Sequence, residues 1–397
     1  MTPSFANTEI AFQGKSVAAL RRAYWLFKAV EYPCLVKTGS ALARGALKLH
    51  LPVSGLIRQT FFKQFCGGET IDQCAPTIEN LAKFRIGTIL DYSVEGQATE
   101  ASFDSNRNEI LRTIELAGKN ASLPFCVFKM TGIARFGLMA KLSSGQKPTE
   151  GENAEWNRAL VRLDAICSKA FAVGTRVFVD AEESWIQPII DFAVSQRMGK
   201  FNRQRAVVYN TIQMYRTDRL EFLKRSIQHA QSESYLLGIK LVRGAYMEKE
   251  RERAKQLGAP SPIFPDKAAT DAAYDESLQI CLKSLSRVSI CAGTHNEKSS
   301  LLLAQWMDEA KIDRADTRIF FAQLLGMGDH ISYNLANAGY NVAKYVPYGP
   351  VKAVFPYLVR RAEENTAISG QTGRELGLIE QEWERRYGRA VRKRLPS

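Results

Sequence analysis

A chain of 397 residues, 45% hydrophobic and 10% aromatic, can bury a core sufficient for one large domain or two ordinary ones, which excludes a disordered or fibrous protein. Seven scattered cysteines without a C-x-x-C pair, and four histidines without an H-x-x-x-H spacing, argue against both a disulfide framework and a zinc centre. The net charge of +13 gathers modestly at the two ends with no zinc-finger, RRM or phosphate-loop signature, so nucleic acid is not an expected partner and an acidic bilayer surface is the better reading.

Residues 1–80 read as helical, with amphipathic stretches over 17–30, 35–49 and 57–65. No apolar run reaches the roughly 18–20 residues a membrane span needs, and the start lacks a secretory pattern. The expectation is an intracellular, cytoplasmic protein, peripheral on the inner face of a bacterial membrane or on the mitochondrial inner membrane.

After Gly67 and Gly68 the pattern changes. Short β-branched, apolar runs begin near Ile86, Phe125, Arg176, Ala206, Leu237, Val288, Arg318 and Asn341, each followed by polar residues and a helical period. Eight such units predict an α/β fold, a closed (βα)8 barrel whose strands are buried on both faces; a doubly wound open sheet is the competitor. Residues 143–153 and 258–265 are loops. The predicted division is a helical segment over 1–80, the barrel over 81–369, and a basic, helical or frayed tail over 370–397.

A barrel of this kind carries its chemistry at the C-terminal ends of its strands. Those ends hold Asp91 and Glu95, then Lys129, then Asp180 with Glu182 and Glu183. Gln213, the turn Arg243–Tyr246, Thr294–Asn296, Gly326–Asp329 and Tyr345 follow. The alternative for Asp180 and the glutamates after it is a helix N-terminus enriched in acid. Lys129 ending an apolar strand calls for an anion.

Past the eighth run, Pro356 is expected in the first turn of a helix. Tyr357, Arg360, Arg361 and Glu364 then fall at i, i+3, i+4 and i+7, on one face. Paired guanidiniums beside a tyrosine suit a small carboxylic acid with an apolar body, although a solvated face of Arg–Glu pairs has the same spacing. Lys129, Arg360 and Arg361 together could hold one carboxylate, with Glu95 and Asp180 as counter-ions to the arginines.

The ordered motifs Phe128–Gly132 (FKMTG), Val179–Glu183 (VDAEE), Tyr209–Gln213 (YNTIQ), Lys240–Tyr246 (KLVRGAY), Gly293–Asn296 (GTHN), Gly326–Gly328 (GMG) and Tyr357–Arg361 (YLVRR) resemble those of the monofunctional proline dehydrogenases. The resemblance implies a distorted barrel with FAD on its C-terminal face and a final helix over the mouth. It implies oxidation of L-proline to Δ¹-pyrroline-5-carboxylate, with electrons passed to a membrane quinone. Lys129, Arg360 and Arg361 correspond to the carboxylate clamp, Glu95 and Asp180 to its acids, and Tyr345 and Tyr357 to walls around the pyrrolidine ring. Gln213, Lys240, Val242, Gly244, Ala245, Thr294, His295, Asn296 and Glu364 correspond to flavin contacts. Lys240 replaces the arginine of the bifunctional enzymes. The alternatives that stay open are hydroxyproline oxidation, a lyase using a Lys129 Schiff base, and a non-enzymatic basic barrel.

Overall fold

A computed structural model of the protein describes residues 3–48, 54–93, 99–367 and 371–388. Eight strands, β1 (Ile86–Tyr92), β2 (Phe125–Lys129), β3 (Arg176–Asp180), β4 (Val208–Gln213), β5 (Leu237–Val242), β6 (Val288–Gly293), β7 (Ile319–Leu324) and β8 (Val342–Tyr348), pair in parallel and in chain order. β8 returns to β1, with Ile86 opposite Val342 and Tyr92 opposite Tyr348, and closes the barrel. The competing open sheet is thereby excluded.

Side chains alternate across each strand, so one parity faces the barrel interior and the other the helices. Ile89, Phe125, Val127, Phe178, Tyr209, Cys291, Ala343 and Tyr345 form the interior cluster. Leu90, Cys126, Phe128, Val177, Val179 and Val346 belong to the larger cluster under the helices. Phe125 and Phe178 stack at 4.3 Å, and the Arg176 guanidinium lies 5.3 Å from the rings of Phe125 and Phe320, sealing the N-terminal end of the barrel.

The same parity carries polar residues to the opposite end. Asp91 follows Ile89 by two positions, Lys129 follows Val127, Asp180 follows Phe178, and Tyr345 follows Ala343. All four therefore face inward at the C-terminal mouth. Lys240 joins them through its register opposite Cys291.

The segments flanking the barrel form one layer with each other. The helix Val17–Val30, capped by Ser16, turns Leu20, Ala23 and Phe27 onto Leu376, Ile379 and Trp383 of the helix Gln371–Tyr387. Arg386 donates to the carbonyls of Phe12 at 2.8 Å and Lys15 at 2.9 Å. Residues 371–388, expected as a helical or frayed tail, are thus a packed helix. The apolar face of 17–30 is occupied by protein.

Pro356 departs from expectation. The helix runs Val351–Ala367, so the proline lies inside it. Gly349 at φ 140° turns the chain, and the Pro350 carbonyl accepts from Ala353 and Val354, starting the helix earlier than the proline alone suggests. Pro356 is exposed, where a missing backbone hydrogen bond is least costly.

Candidate active site

At the centre of the mouth, one oxygen of Asp180 accepts from both the Lys240 ammonium and the Tyr345 hydroxyl, the latter at 2.8 Å. Lys240 also donates to the Tyr345 hydroxyl at 2.7 Å. β3, β5 and β8 are thereby tied together, and Lys240 is 4% exposed, so its charge needs this carboxylate. Burial first, then the Asp180 and Asp91 charges, push the Tyr345 hydroxyl well above its ordinary value. It stays a neutral donor. Burial likewise raises the Asp91 carboxyl, against the opposing charge of Lys129 and a 2.6 Å bond from Ser93.

Lys129 and Arg360, remote in sequence, line one cavity of about 490 Å³ with Thr131, Glu182, Trp185 and Tyr246. Arg361 is buried, its guanidinium 5.2 Å from the Tyr357 ring. Tyr357 packs with Phe62, Phe65 and Met327, which fix the helix Val351–Ala367 to the barrel rim. Among the cation-binding acids expected from sequence, Asp180 takes its contacts from Lys240 and Tyr345. Glu95 lies outside the described residues, and the backbone of Glu364 lies in the helix after Arg361.

The remaining sequence-predicted positions form the rim. Gln213 is buried with both ends engaged: its amide donates to the Glu182 carbonyl at 2.7 Å and its oxygen accepts from the Ala245 N–H at 3.2 Å. Val242 ends β5. Gly244 has φ 152°, and a Cβ there would meet the Tyr215 ring at 2.5 Å, so only glycine permits this turn. Asn296 caps the helix Glu297–Glu309 by accepting from Ser299 N–H at 3.1 Å.

His295 is the informative member. Burial, then the charges of Lys344 and Arg361, push its pKa down to about 3, so the ring is neutral. Its Nε2 accepts from the Leu324 N–H at 3.4 Å, which leaves the proton on Nδ1. That Nδ1 is buried and has no hydrogen-bond partner among the described residues. A buried donor in this position fits an acceptor atom of a bound ligand.

Two groups have positioning roles that the sequence did not assign: Arg243, of the turn already named, and Lys344, which the sequence reading passed over. Arg243 donates to Asp271 at 2.6 Å, Thr294 at 2.5 Å and Ser299 at 2.9 Å, which locks Thr294 and the start of the following helix. Lys344, fully buried in β8, pairs with Asp329 at 2.7 Å and donates to the Met327 carbonyl at 2.5 Å. A lysine inside an apolar strand was the available signal for it, as for Lys129.

The proline dehydrogenase family model matches residues 74–374. The carbapenem antibiotics biosynthesis protein CarD of Pectobacterium carotovorum is 37% identical over 81% of this chain and 83% of its own length. Mitochondrial proline dehydrogenase 1 of Arabidopsis thaliana is 32% identical over 84% and 76%, and the hydroxyproline dehydrogenase of Xenopus laevis 31% over 94% and 88%. Proline utilization A of Bdellovibrio bacteriovorus superposes with a TM-score of 0.72 at 20% identity, a likeness of fold that covers 92% of this chain and 38% of that one. With a closed eight-stranded barrel and a family match across most of its length, the chain belongs to the proline dehydrogenase family.

Proposed function

We propose that this protein oxidises L-proline to Δ¹-pyrroline-5-carboxylate, the first step of proline catabolism to glutamate, with FAD as cofactor and a membrane quinone as final electron acceptor. The observation that carries the reading is the meeting of Lys129 and Arg360 in one cavity beside the Asp180–Lys240–Tyr345 cluster. Lys129, Arg360 and Arg361 hold the substrate carboxylate, the guanidiniums through parallel hydrogen bonds. Tyr345 and Tyr357 bound the ring. Asp180 balances the local positive charge, and Glu95 is assigned the same role toward Arg360.

The donor on His295 Nδ1 fits a ligand rich in acceptor atoms, as FAD is. Lys240, Val242, Gly244, Ala245, Gln213, Thr294, His295, Asn296 and Glu364 are the residues assigned to hold it. FAD, when bound there, supplies the two-electron acceptor; the protein positions the substrate carbon, excludes water and balances charge. Arg243 keeps Thr294 in place, and Gln213 ties the turn at Ala245 to the loop at Glu182.

Among the described residues no helix is long and apolar enough to cross a membrane. Access to a quinone therefore calls for peripheral docking. The outer stripe of 17–30, with Arg21 and the 39%-exposed Trp25, is the surface we assign to it.

An anaerobic absorbance spectrum before and after L-proline tests this reading. Flavin bands that bleach with proline are expected. Bleaching with hydroxyproline alone would move the protein to the activity named for its Xenopus relative. A colourless protein that cannot be reconstituted with FAD, and that borohydride traps at Lys129, would replace the reading with a lyase.

A further inference from the structure

We infer that Glu182 is the residue that takes the proton from the substrate's ring nitrogen, in the cavity it shares with Lys129; this rests on the proline-oxidising reading above. An amine must be unprotonated before its neighbouring C–H bond can lose hydride, because only then can the nitrogen lone pair form the new C=N bond. A substrate anchored by its carboxylate at Lys129 has its nitrogen two covalent bonds from the anchored carbon. The proton therefore leaves it inside this cavity.

Glu182 lines that cavity and is 2% exposed. Its two oxygens accept from Thr131, one from the backbone N–H at 3.0 Å and one from the hydroxyl at 2.5 Å. Its own N–H is held by Gln187 at 2.8 Å and its carbonyl by Gln213 at 2.7 Å. The carboxyl is thus held at both oxygens by Thr131, two residues past Lys129, and the Glu182 backbone is pinned on both sides by Gln187 and Gln213. Such over-determination is what a proton-transfer group requires and what a solvated acid at a helix start lacks.

The neighbouring groups are each unsuited. Lys129 from β2 and Arg360 from the helix Val351–Ala367 are cations and cannot accept. Glu183 is paired with Lys249 at 2.9 Å. Burial raises the Tyr246 hydroxyl far above neutrality. Glu252 and Arg253 stand with Lys249 on the helix Met247–Leu257, at the outer side of the cavity. Asp91, also raised, takes a bond from Ser93 and does not line the cavity. For Glu182, burial outweighs the two Thr131 bonds and the Lys129 charge and brings its pKa up to about 7, where a proton can be both taken and released.

The step balances. The N–H bond of the ring ammonium breaks and an O–H bond forms on the Glu182 carboxylate. Both electrons of the broken bond stay on nitrogen, and nothing is oxidised. The oxidation is the later departure of hydride to the acceptor already assigned, and the proton on Glu182 is released to solvent afterwards.

The test is the rate of anaerobic flavin reduction by L-proline, followed from about pH 5.5 to about 9 in the FAD-loaded enzyme. The wild type should speed up as pH rises through an inflection near 7, where the glutamate becomes ionised and able to accept. Glu182→Gln should lose that inflection and slow reduction by about 10²-fold, the lower end of what a positioned proton acceptor supplies, with flavin content unchanged. Thr131→Val removes a bond that favours the charged form and should move the inflection to higher pH, while Thr131→Ser should restore it. An inflection left in place by Glu182→Gln, or one unmoved by Thr131→Val, overturns the inference. If Glu182→Gln does not fold, the threonine pair decides alone. Wild-type flavin that proline does not bleach at any pH rejects the underlying reading, a result no glutamate variant could mimic.

Discussion

The Lys240 ammonium reaches the Tyr345 hydroxyl at 2.7 Å across the barrel, and the two converge on one oxygen of Asp180. A buried ammonium, a neutral phenol and a carboxylate thus form a closed triangle among three strands. Its charges nearly cancel, so removing one corner exposes the others to burial without compensation.

Lys240→Met should accordingly destabilise the fold by about 3 to 5 kcal/mol, the usual consequence of stranding one member of a buried pair. Thermal melting of the flavin-loaded protein measures it. Lys240→Arg should recover most of that stability. A planar guanidinium cannot place its donors as a single ammonium does, so the rate of flavin reduction should recover less than the melting temperature.

Arg361→Met should raise KM for proline by two orders of magnitude or more, about the loss expected for one bidentate charge-assisted contact. Flavin should remain bound, because the substitution keeps the packing volume beside Tyr357. Steady-state kinetics with a flavin-content assay checks both halves, and unaltered kinetics would dispose of the clamp.

Asp329 links the N-terminal segment to the barrel. Its carboxylate pairs with Lys15 at 2.9 Å and Lys344 at 2.7 Å. Burial alone would raise its pKa; the two lysines outweigh burial and hold it well below the ordinary carboxylate range. The folded protein therefore binds fewer protons here than the unfolded chain. This stabilisation is complete above about pH 4 and fades as pH falls from there toward the folded value. Asp329→Asn should lower stability by about 3 kcal/mol at neutral pH and by progressively less under strongly acidic conditions, as denaturant titrations at the two pH values would report.

The bilayer-docking surface is tested by Arg21→Glu combined with Trp25→Ala. Sedimentation with acidic liposomes should fall severalfold, since each basic residue near such a surface contributes about 1 kcal/mol. Activity with a soluble dye should not change. Deleting residues 1–30 is the poorer experiment, because Lys15, Leu20, Ala23 and Phe27 are built into the fold.

The amino-acid pattern alone carried the barrel and most of its mouth. Strand periodicity is local, so the eight β-branched runs could be read in order, and alternation placed Lys129, Asp180 and Tyr345 together at strand ends. The two-arginine helix face was also readable as a spacing, because i, i+3, i+4 and i+7 span only about two helical turns. The start of that helix was not: the Pro350 carbonyl and the Gly349 turn set it, and a proline inside the span misled the local signal.

What only the tertiary structure decided is who partners whom. In sequence Asp180 is paired only with arginines; that Lys240 and Tyr345 also contact it is decided by barrel closure, which brings β3, β5 and β8 to one point. The amphipathic helix 17–30 looked free to meet a membrane, yet its apolar face lies against the helix 371–387. Glu182 looked like one acid among several at a loop, yet burial under Thr131, Gln187 and Gln213 sets it apart. Propensity and periodicity act over a few residues along the chain; charge compensation and desolvation depend on neighbours in space, which only the closed fold supplies.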